Sequence, residues 1–176
     1  GEAYKTGGAP TWLTGSYDPE LNLVYWGVGN GGPWNAAARG GDSLYIGSVL
    51  ALKPSTGEVV WHYQFSPGDP YDYDGVNELV LADLPIAGKT TKVLMQANRN
   101  GFFYVIDRTN GKLISGTQFA RKVNWASGID KASGRPIDTA MTAMVRKTEE
   151  MKDFIEVWPS AFGGKNWMPM SYDPGR

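Results

Sequence analysis

The sequence predicts an all-β protein, because short apolar segments alternate with turn residues along most of its length. Glycine and proline account for 23 and 11 of the 176 residues, a composition typical of proteins with many turns. The apolar segments are rich in β-branched and aromatic residues, which favour strands. The candidate strands are residues 21–27, 44–52, 58–64, 78–84, 92–97, 102–107 and 112–115.

The connections between these strands carry recognisable turn residues. Residues 53–57 join the second strand to the third and end in Thr-Gly, and residues 107–111 join the sixth to the seventh and end in Asn-Gly. Such pairs supply the positive φ angles that tight hairpins need. Residues 139–152 are the one stretch with helix-forming composition. We predict a short surface helix or a mobile excursion there.

Internal repeats refine the fold class. Residues 49–58 are similar to residues 103–112, and their aligned glycines lie 54 positions apart (111 − 57). Residues 12–19 are echoed by residues 167–174, at a spacing of 155 (167 − 12) that is nearly three times the first. A unit of about 40–50 residues with four short strands is typical of a β-propeller blade. We therefore predict roughly three blades of a larger propeller; the alternative is a self-contained β-sandwich with chance similarity.

Composition excludes several classes of function. A net charge of −1 argues against a nucleic-acid or anionic-membrane partner. The absence of cysteine excludes a disulfide, a thiol nucleophile or a thiolate metal site within the sequence. His62 is the only histidine, so no histidine-based triad is available, and its place in a candidate strand favours a structural role.

The strongest lead to function is an acidic segment between the third and fourth strands. Residues 69–78 hold four carboxylates, interleaved with aromatics, a proline and a glycine, which predicts a loop. Concentrated negative charge beside aromatic surface suits a cation, a proton acceptor, or both. An EF-hand is excluded, because its first and last ligand positions would fall on Pro70 and Leu81. Charge counting does not distinguish Asp72 from Asp69 or Asp74.

Several separated strings resemble the quinoprotein alcohol dehydrogenases, which use pyrroloquinoline quinone (PQQ) and include the methanol and ethanol dehydrogenases. The resemblance is carried in order by residues 12–30, 61–65, 72–78, 98–112 and 158–167. It implies an eight-bladed propeller of which these residues form an internal fragment of the large catalytic subunit. The whole chain, residues 1–176, is then one partial propeller domain.

The resemblance implies a catalytic role for Asp72. It would accept the hydroxyl proton of the alcohol while hydride moves to C5 of the quinone, whose carbonyl a metal ion polarises. The implied metal ligands are Asn30, Asp72 and Asp74. Asn30 beside glycines is otherwise typical of a tight turn, and Asp74 before Gly75 of a solvated turn. Lanthanide-dependent relatives resemble this chain at Asp-Tyr-Asp, where they also have a second aspartate. The extra carboxylate suits a trivalent ion better than a divalent one. We therefore expect a lanthanide, with calcium as the alternative.

The same resemblance assigns Trp12, Arg99, Asn166 and Trp167 to the cofactor. Trp12 would stack on the planar quinone, for which indole offers the largest aromatic face. Arg99 would donate hydrogen bonds to the quinone carbonyl oxygens. The alternatives are tryptophans packed between blades and an arginine paired with a neighbouring blade. Some relatives have a cofactor-contacting threonine where this chain has Pro10.

The pattern formed by Gly57, Trp61 and Gly111 resembles the tryptophan-docking repeat of propellers in this superfamily. Gly57 and Gly111 occupy equivalent turns, and Trp61 follows the first of them. We expect Trp61 to lock one blade to the next by burying its ring, so that truncation to alanine costs about 3–5 kcal/mol. The second repeat has Ser115 at the corresponding place, so that dock is absent or altered there.

The implied function is that of a periplasmic enzyme oxidising primary alcohols of the methanol and ethanol class to aldehydes, with electrons passing to cytochrome c. A homodimer of the full-length protein is also expected. The family's glutamate metal ligand and its disulfide between adjacent cysteines are not found in this sequence, so we expect both outside it and no activity from this part alone. Alternative functions are a non-catalytic propeller scaffold and a quinoprotein sugar dehydrogenase.

Overall fold

The computed structural model describes residues 5, 7–148 and 153–175. Its architecture is two four-stranded antiparallel sheets followed by a two-stranded hairpin, with two short helices. In each large sheet the strands are neighbours in chain order, which is the meander of a propeller blade. This confirms the predicted all-β fold and partial propeller. No helix in the described ranges is both long and apolar enough to cross a membrane.

The first sheet follows the predicted turns closely. Its strands are β1 (Ser16–Asp18), β2 (Leu23–Gly27), β3 (Ser48–Leu52) and β4 (Val59–Gln64). The short β1 was not predicted. It turns into β2 because one oxygen of the buried Asp18 carboxylate accepts the backbone N–H groups of Glu20 and Leu21, at 2.9 and 3.1 Å. Strand β3 begins at residue 48 and not at 44, since Gly47 adopts a left-handed turn conformation.

The second sheet contains β5 (Val80–Ile86), β6 (Lys89–Ala97), β7 (Phe102–Asp107) and β8 (Leu113–Gln118). Strand β5 tolerates Pro85 because it is an edge strand. The sequence did not predict the hairpin that follows, made of β9 (Ala126–Ile129) and β10 (Pro136–Asp138). Helix α1 (Ala36–Arg39) lies between β2 and β3, and helix α2 (Ala140–Val145) follows β10.

The predicted excursion at residues 139–152 begins with α2. Thr139 caps this helix, because its side chain accepts the Thr142 backbone N–H. Thr142 is fully buried, and its hydroxyl donates to the Trp125 carbonyl at 2.7 Å, so α2 is packed against the core. Residues 149–152 of the predicted excursion lie outside the described residues.

The two blades are joined at Trp61 as expected from the docking repeat. A Cβ atom added to Gly111 would lie 2.7 Å from the Trp61 ring, so the indole lies flat against a residue that has no side chain. The Trp61 Nε1–H donates to the Arg108 carbonyl at 3.2 Å, and the Tyr25 hydroxyl donates to the same oxygen at 3.0 Å. The Arg108 guanidinium pairs with Asp18 on the first blade at 2.6 Å.

One hydrophobic core runs through both blades and is dominated by aromatic rings. The Phe65 and Tyr104 rings meet at 4.8 Å between centroids and join the residue that follows β4 to strand β7 of the second sheet. Further ring contacts extend this cluster through Phe102 and Trp125 to Tyr73, which belongs to the acidic segment. The core therefore supports the segment that carries the candidate site. Its other buried members include Leu23, Tyr25, Val49, Ala51, Tyr63, Tyr71, Leu79, Leu94, Ile106 and Ala126.

Candidate active site

The acidic segment is a loop, as predicted, and its backbone is tightly held. Asp69 is buried, and its carboxylate accepts the backbone N–H of Tyr71 at 2.9 Å and that of Tyr73 at 2.6 Å. Between these two anchored residues, Asp72 adopts a left-handed conformation with φ of 65°. Such a conformation is uncommon for residues other than glycine and is often found at functional sites.

The structure brings Asp72, Asp74 and Arg99 into direct contact. The Arg99 Nη2 lies 3.3 Å from the Asp72 Oδ2, and its Nη1 donates to the Asp74 Oδ2. The Asp74 and Arg99 side chains are only 5% and 8% exposed, whereas that of Asp72 is 21% exposed. Asp72 is therefore the carboxylate of this group that a substrate can reach most easily.

Asn30 joins this group from the first blade. Its backbone N–H donates to the Asp74 Oδ1, so the two predicted ligands lie side by side although 44 positions separate them in sequence. The approach depends on Gly29, where an added Cβ would lie 2.7 Å from the Asp74 Oδ1. Gly29 therefore presents bare backbone against which the Asp74 carboxylate fits.

Burial, neighbouring charges and hydrogen bonds all shift the pKa values of the carboxylates in this loop. Burial raises the pKa of Asp72; the Arg99 guanidinium opposes this change, and repulsion from Asp74 adds to it. Burial also raises the pKa of Asp69 to about 6, against the lowering effect of its two amide hydrogen bonds. A base whose pKa is moved upward toward the working pH is better suited to general-base chemistry.

Arg99 is fixed in place by the segment at residues 161–164. The Ala161 carbonyl accepts a hydrogen bond from the Arg99 Nη2 at 2.5 Å, and the Gly164 N–H donates to the Arg99 carbonyl at 2.9 Å. Gly163 has a φ of 81°, and a Cβ there would lie 2.8 Å from the Arg99 Cα. This segment therefore closes over Arg99 only because it contains glycine.

The other predicted cofactor residues lie on chain segments next to this group. The segment before Trp12 is held beside Asn30, because the Gly29 N–H donates to the Pro10 carbonyl at 2.7 Å. Trp12 is 46% exposed. Asn166 follows the segment over Arg99, and its Oδ1 accepts the Trp167 N–H at 2.8 Å. The Trp167 ring is also largely exposed. Both tryptophans therefore present open aromatic faces, and their roles toward a cofactor stay predictions.

The donor atoms suit a hard cation that draws part of its coordination from other sources. In residues 5, 7–148 and 153–175, no cluster of three or more histidine, cysteine, aspartate or glutamate side chains could hold a metal. Asn30, Asp72 and Asp74 supply one amide and two carboxylate groups, which are oxygen donors that calcium-sized ions prefer. An ion here would need further ligands from a cofactor, water or other parts of the protein.

Sequence reasoning missed the residues that brace the site from behind. The Trp125 Nε1–H donates to the Asn100 carbonyl at 2.8 Å, next to Arg99, and its ring lies 5.5 Å from that of Tyr73. The Tyr71 hydroxyl lies 3.1 Å from the Thr142 hydroxyl on α2. No local motif marks Trp125 or Thr142, whereas Asp69 was visible as part of the acidic segment.

Comparisons with known proteins agree with this architecture. The family model described as the PQQ glucose/ethanol/alcohol dehydrogenase β-propeller domain matches residues 1–124. The chain is 51% identical to the quinohemoprotein alcohol dehydrogenase ADH IIB of Pseudomonas putida, over 96% of this chain and 24% of that protein. It is 43% identical to the lanthanide-dependent methanol dehydrogenase of Methylacidiphilum fumariolicum, over 99% of this chain and 28% of that one.

Solved structures give the same result. A europium-containing methanol dehydrogenase superposes with a TM-score of 0.91 at 42% identity, over 99% of this chain and 30% of that chain. The quinohemoprotein alcohol dehydrogenase of Comamonas testosteroni superposes with a TM-score of 0.86 at 46% identity, over 96% and 24%. The chain thus spans about a quarter to a third of its relatives' length. It belongs to the family of PQQ glucose, ethanol and alcohol dehydrogenase β-propeller domains.

Proposed function

We propose that the protein carrying this chain is a PQQ-dependent alcohol dehydrogenase that oxidises primary alcohols of the methanol and ethanol class to aldehydes. The observation that supports this most is the convergence of Asp72, Asp74 and Arg99 beside Asn30. A structural scaffold has no need for two carboxylates and a buried arginine at one point of the blade surface.

The residues present fit a quinone and its metal ion. Asn30, Asp72 and Asp74 would hold the ion through oxygen atoms, and Arg99, Trp12, Asn166 and Trp167 would hold the quinone. In the described part of the chain the Arg99 Nε is buried without a hydrogen-bond partner, as expected of a group that donates to a ligand. When bound, PQQ supplies the two-electron acceptor and the ion polarises it.

Asp72 is the proposed general base. Its carboxylate is partly exposed and would accept the hydroxyl proton of the alcohol, while Arg99 favours its ionised form against the effect of burial and limits its movement. Asp74 is more buried, and its carboxylate accepts hydrogen bonds from the Asn30 N–H and the Arg99 Nη1, so its proposed role is to hold the ion and the arginine. The exposed ring of Trp12 would cover one face of the planar cofactor.

For the ion we propose a lanthanide, with calcium as the alternative. Two carboxylates against one ion favour a higher cation charge, because each negative oxygen gains more from a trivalent than from a divalent ion. The europium-containing methanol dehydrogenase and the lanthanide-dependent relative support this choice. Arg99 already neutralises part of the negative charge, which reduces the advantage of a trivalent ion over calcium.

Cytochrome c is the proposed electron acceptor, and the periplasm the proposed location. Relatives named quinohemoproteins combine the quinone with haem, which supports transfer of electrons from the quinone to a haem protein. We also propose a homodimer for the full-length protein. The second candidate substrate class is sugars, because the matching family description includes glucose dehydrogenases.

The test is dye-linked oxidation of methanol, ethanol and glucose by the full-length protein, reconstituted with PQQ and either calcium or a light lanthanide. We expect alcohol oxidation in wild type and a decrease in kcat of about 10²–10⁴-fold for Asp72→Asn, since this substitution removes the base while keeping its size. Oxidation of glucose but not of alcohols would overturn the substrate assignment. Full activity of Asp72→Asn would overturn the base.

A further inference from the structure

Asp69 is a buried carboxylate that lies three residues before the proposed base and makes no contact that the mechanism above uses. Its Oδ1 accepts the Tyr71 N–H at 2.9 Å and its Oδ2 accepts the Tyr73 N–H at 2.6 Å. The side chain therefore holds the backbone on both sides of Asp72. A buried charge is costly unless such hydrogen bonds compensate for it, so its presence requires a reason.

The two anchored neighbours dictate where the Asp72 side chain points. The Tyr71 and Tyr73 rings are buried, and the Tyr73 hydroxyl donates to the Pro159 carbonyl at 2.5 Å. Asp72 lies between them with a φ of 65° and is directed outward, where its Oδ2 meets the Arg99 Nη2 at 3.3 Å. An uncommon backbone conformation persists only where the surroundings impose it, and here the carboxylate of Asp69 imposes it.

The Asp69 backbone is itself held from outside the loop. Its carbonyl accepts a hydrogen bond from the Arg39 Nη2 at 2.5 Å, and Arg39 also donates through its Nε to the Pro33 carbonyl at 2.8 Å. Arg39 thus connects Asp69 to the segment that follows Asn30. The loop carrying Asp72 and the segment carrying Asn30 therefore share one support.

We propose that Asp69 is a positioning residue, which fixes the Asp72 carboxylate relative to Arg99 and Asp74 by holding the amides of Tyr71 and Tyr73. This inference rests on the proposed function of Asp72. It extends that function, because Asp69 takes no part in the reaction itself and acts only through the backbone. Groups that support a metal ligand in this way typically change metal affinity or activity by about 10–100-fold when they are altered.

The first variant is Asp69→Asn in the full-length protein. The side-chain amide would turn a donor toward one of the two backbone N–H groups, so at least one hydrogen bond is lost while size is preserved. Asp69→Glu is the second variant, for use also if the first does not fold. It keeps the charge and moves the carboxylate by one methylene. The control is Asp130→Asn, because Asp130 also accepts a backbone N–H, that of Ser133 at 2.8 Å, in the turn between β9 and β10.

Two measurements separate positioning from general stability. The first is kcat and KM for ethanol; the second is the affinity of the apo-protein for europium, measured by luminescence titration. For both Asp69 variants we expect kcat to fall about 10–100-fold with KM nearly unchanged, and europium affinity to fall by a similar factor. Asp130→Asn should match wild type in both measurements.

Several outcomes would overturn the proposal. Asp69 variants with wild-type kcat or wild-type europium affinity would show that Asp72 needs no such support. An equal loss in Asp130→Asn would show a general effect of removing an aspartate. Failure of the proposed function is recognised separately, because wild type would then lack alcohol oxidation or Asp72→Asn would retain it.

Discussion

The contact between Trp61 and Gly111 can be tested with a pair of glycines that differ in one respect. Gly57 and Gly111 occupy equivalent turns in the two blades, with φ angles of 73° and 77°. Space around them differs: a Cβ on Gly57 meets nothing within 4 Å, whereas a Cβ on Gly111 would lie 2.7 Å from the Trp61 ring. Substitution to alanine therefore imposes the same backbone strain at both sites and a steric clash at only one.

The expected magnitudes follow from these two terms. Left-handed strain costs about 1–2 kcal/mol for an alanine. Inserting a methyl group into a packed contact adds about 1–3 kcal/mol. Gly57→Ala should therefore destabilise the protein by about 1–2 kcal/mol, and Gly111→Ala by about 2–5 kcal/mol.

The assay is urea unfolding of the full-length protein, with Trp61→Ala as a second background. Removing the ring removes the clash, so in that background Gly111→Ala should cost no more than Gly57→Ala does in wild type. The reasoning is refuted if both glycine variants lose the same stability, or if the cost of Gly111→Ala is independent of Trp61.

Two other predictions concern charge. Burial alone would raise the pKa of Asp18, but the Arg108 hydrogen bond and the amides of Leu21 and Glu20 outweigh it and hold that pKa below its ordinary value. The Asp18–Arg108 pair therefore contributes stability above about pH 4 that is lost as the pH falls through the folded-state pKa of Asp18. The difference in unfolding free energy between wild type and Asp18→Asn should be largest near pH 7 and should shrink in acid. A difference independent of pH would contradict this prediction. For the metal site, Asp74→Asn should lower the preference for europium over calcium by about 1–4 kcal/mol, or roughly 5- to 1000-fold, because the two ions differ by one charge and the substitution removes one carboxylate charge. The measurement is the ratio of the europium and calcium dissociation constants. Losing the Arg99 contact affects the binding of both ions and therefore cancels in this ratio. An unchanged ratio would show that Asp74 does not select the ion.

Much of the fold could be predicted because local residues determine the hairpins. The Thr-Gly and Asn-Gly turns mark the ends of β3 and β7, and both strands end within one residue of the predicted place. Prediction was poorer where a distant contact decides. The start of β3 depends on Gly47, whose N–H donates to the distant Gly29 carbonyl at 2.9 Å. The hairpin of β9 and β10 lacks alternating apolar residues.

In the candidate site, too, features set by local residues could be predicted and features set by distant contacts could not. Asp72 and Arg99 are 27 positions apart (99 − 72), and no periodicity indicates that they meet; the family resemblance alone suggested it. The role of Asp69 became visible only from its two backbone contacts, since its charge is like that of its neighbours. Trp125 reaches both Tyr73 and the Arg99 turn through the core, and such a tertiary contact leaves no local signal.

The most direct test of the account is a crystal structure of the full-length protein with PQQ and its metal ion. We expect the ion within coordination distance of the Asn30, Asp72 and Asp74 side-chain oxygens, and the Arg99 guanidinium beside the quinone. A cofactor bound elsewhere, with Arg99 still bridging Asp72 and Asp74 and no ion between them, would contradict it.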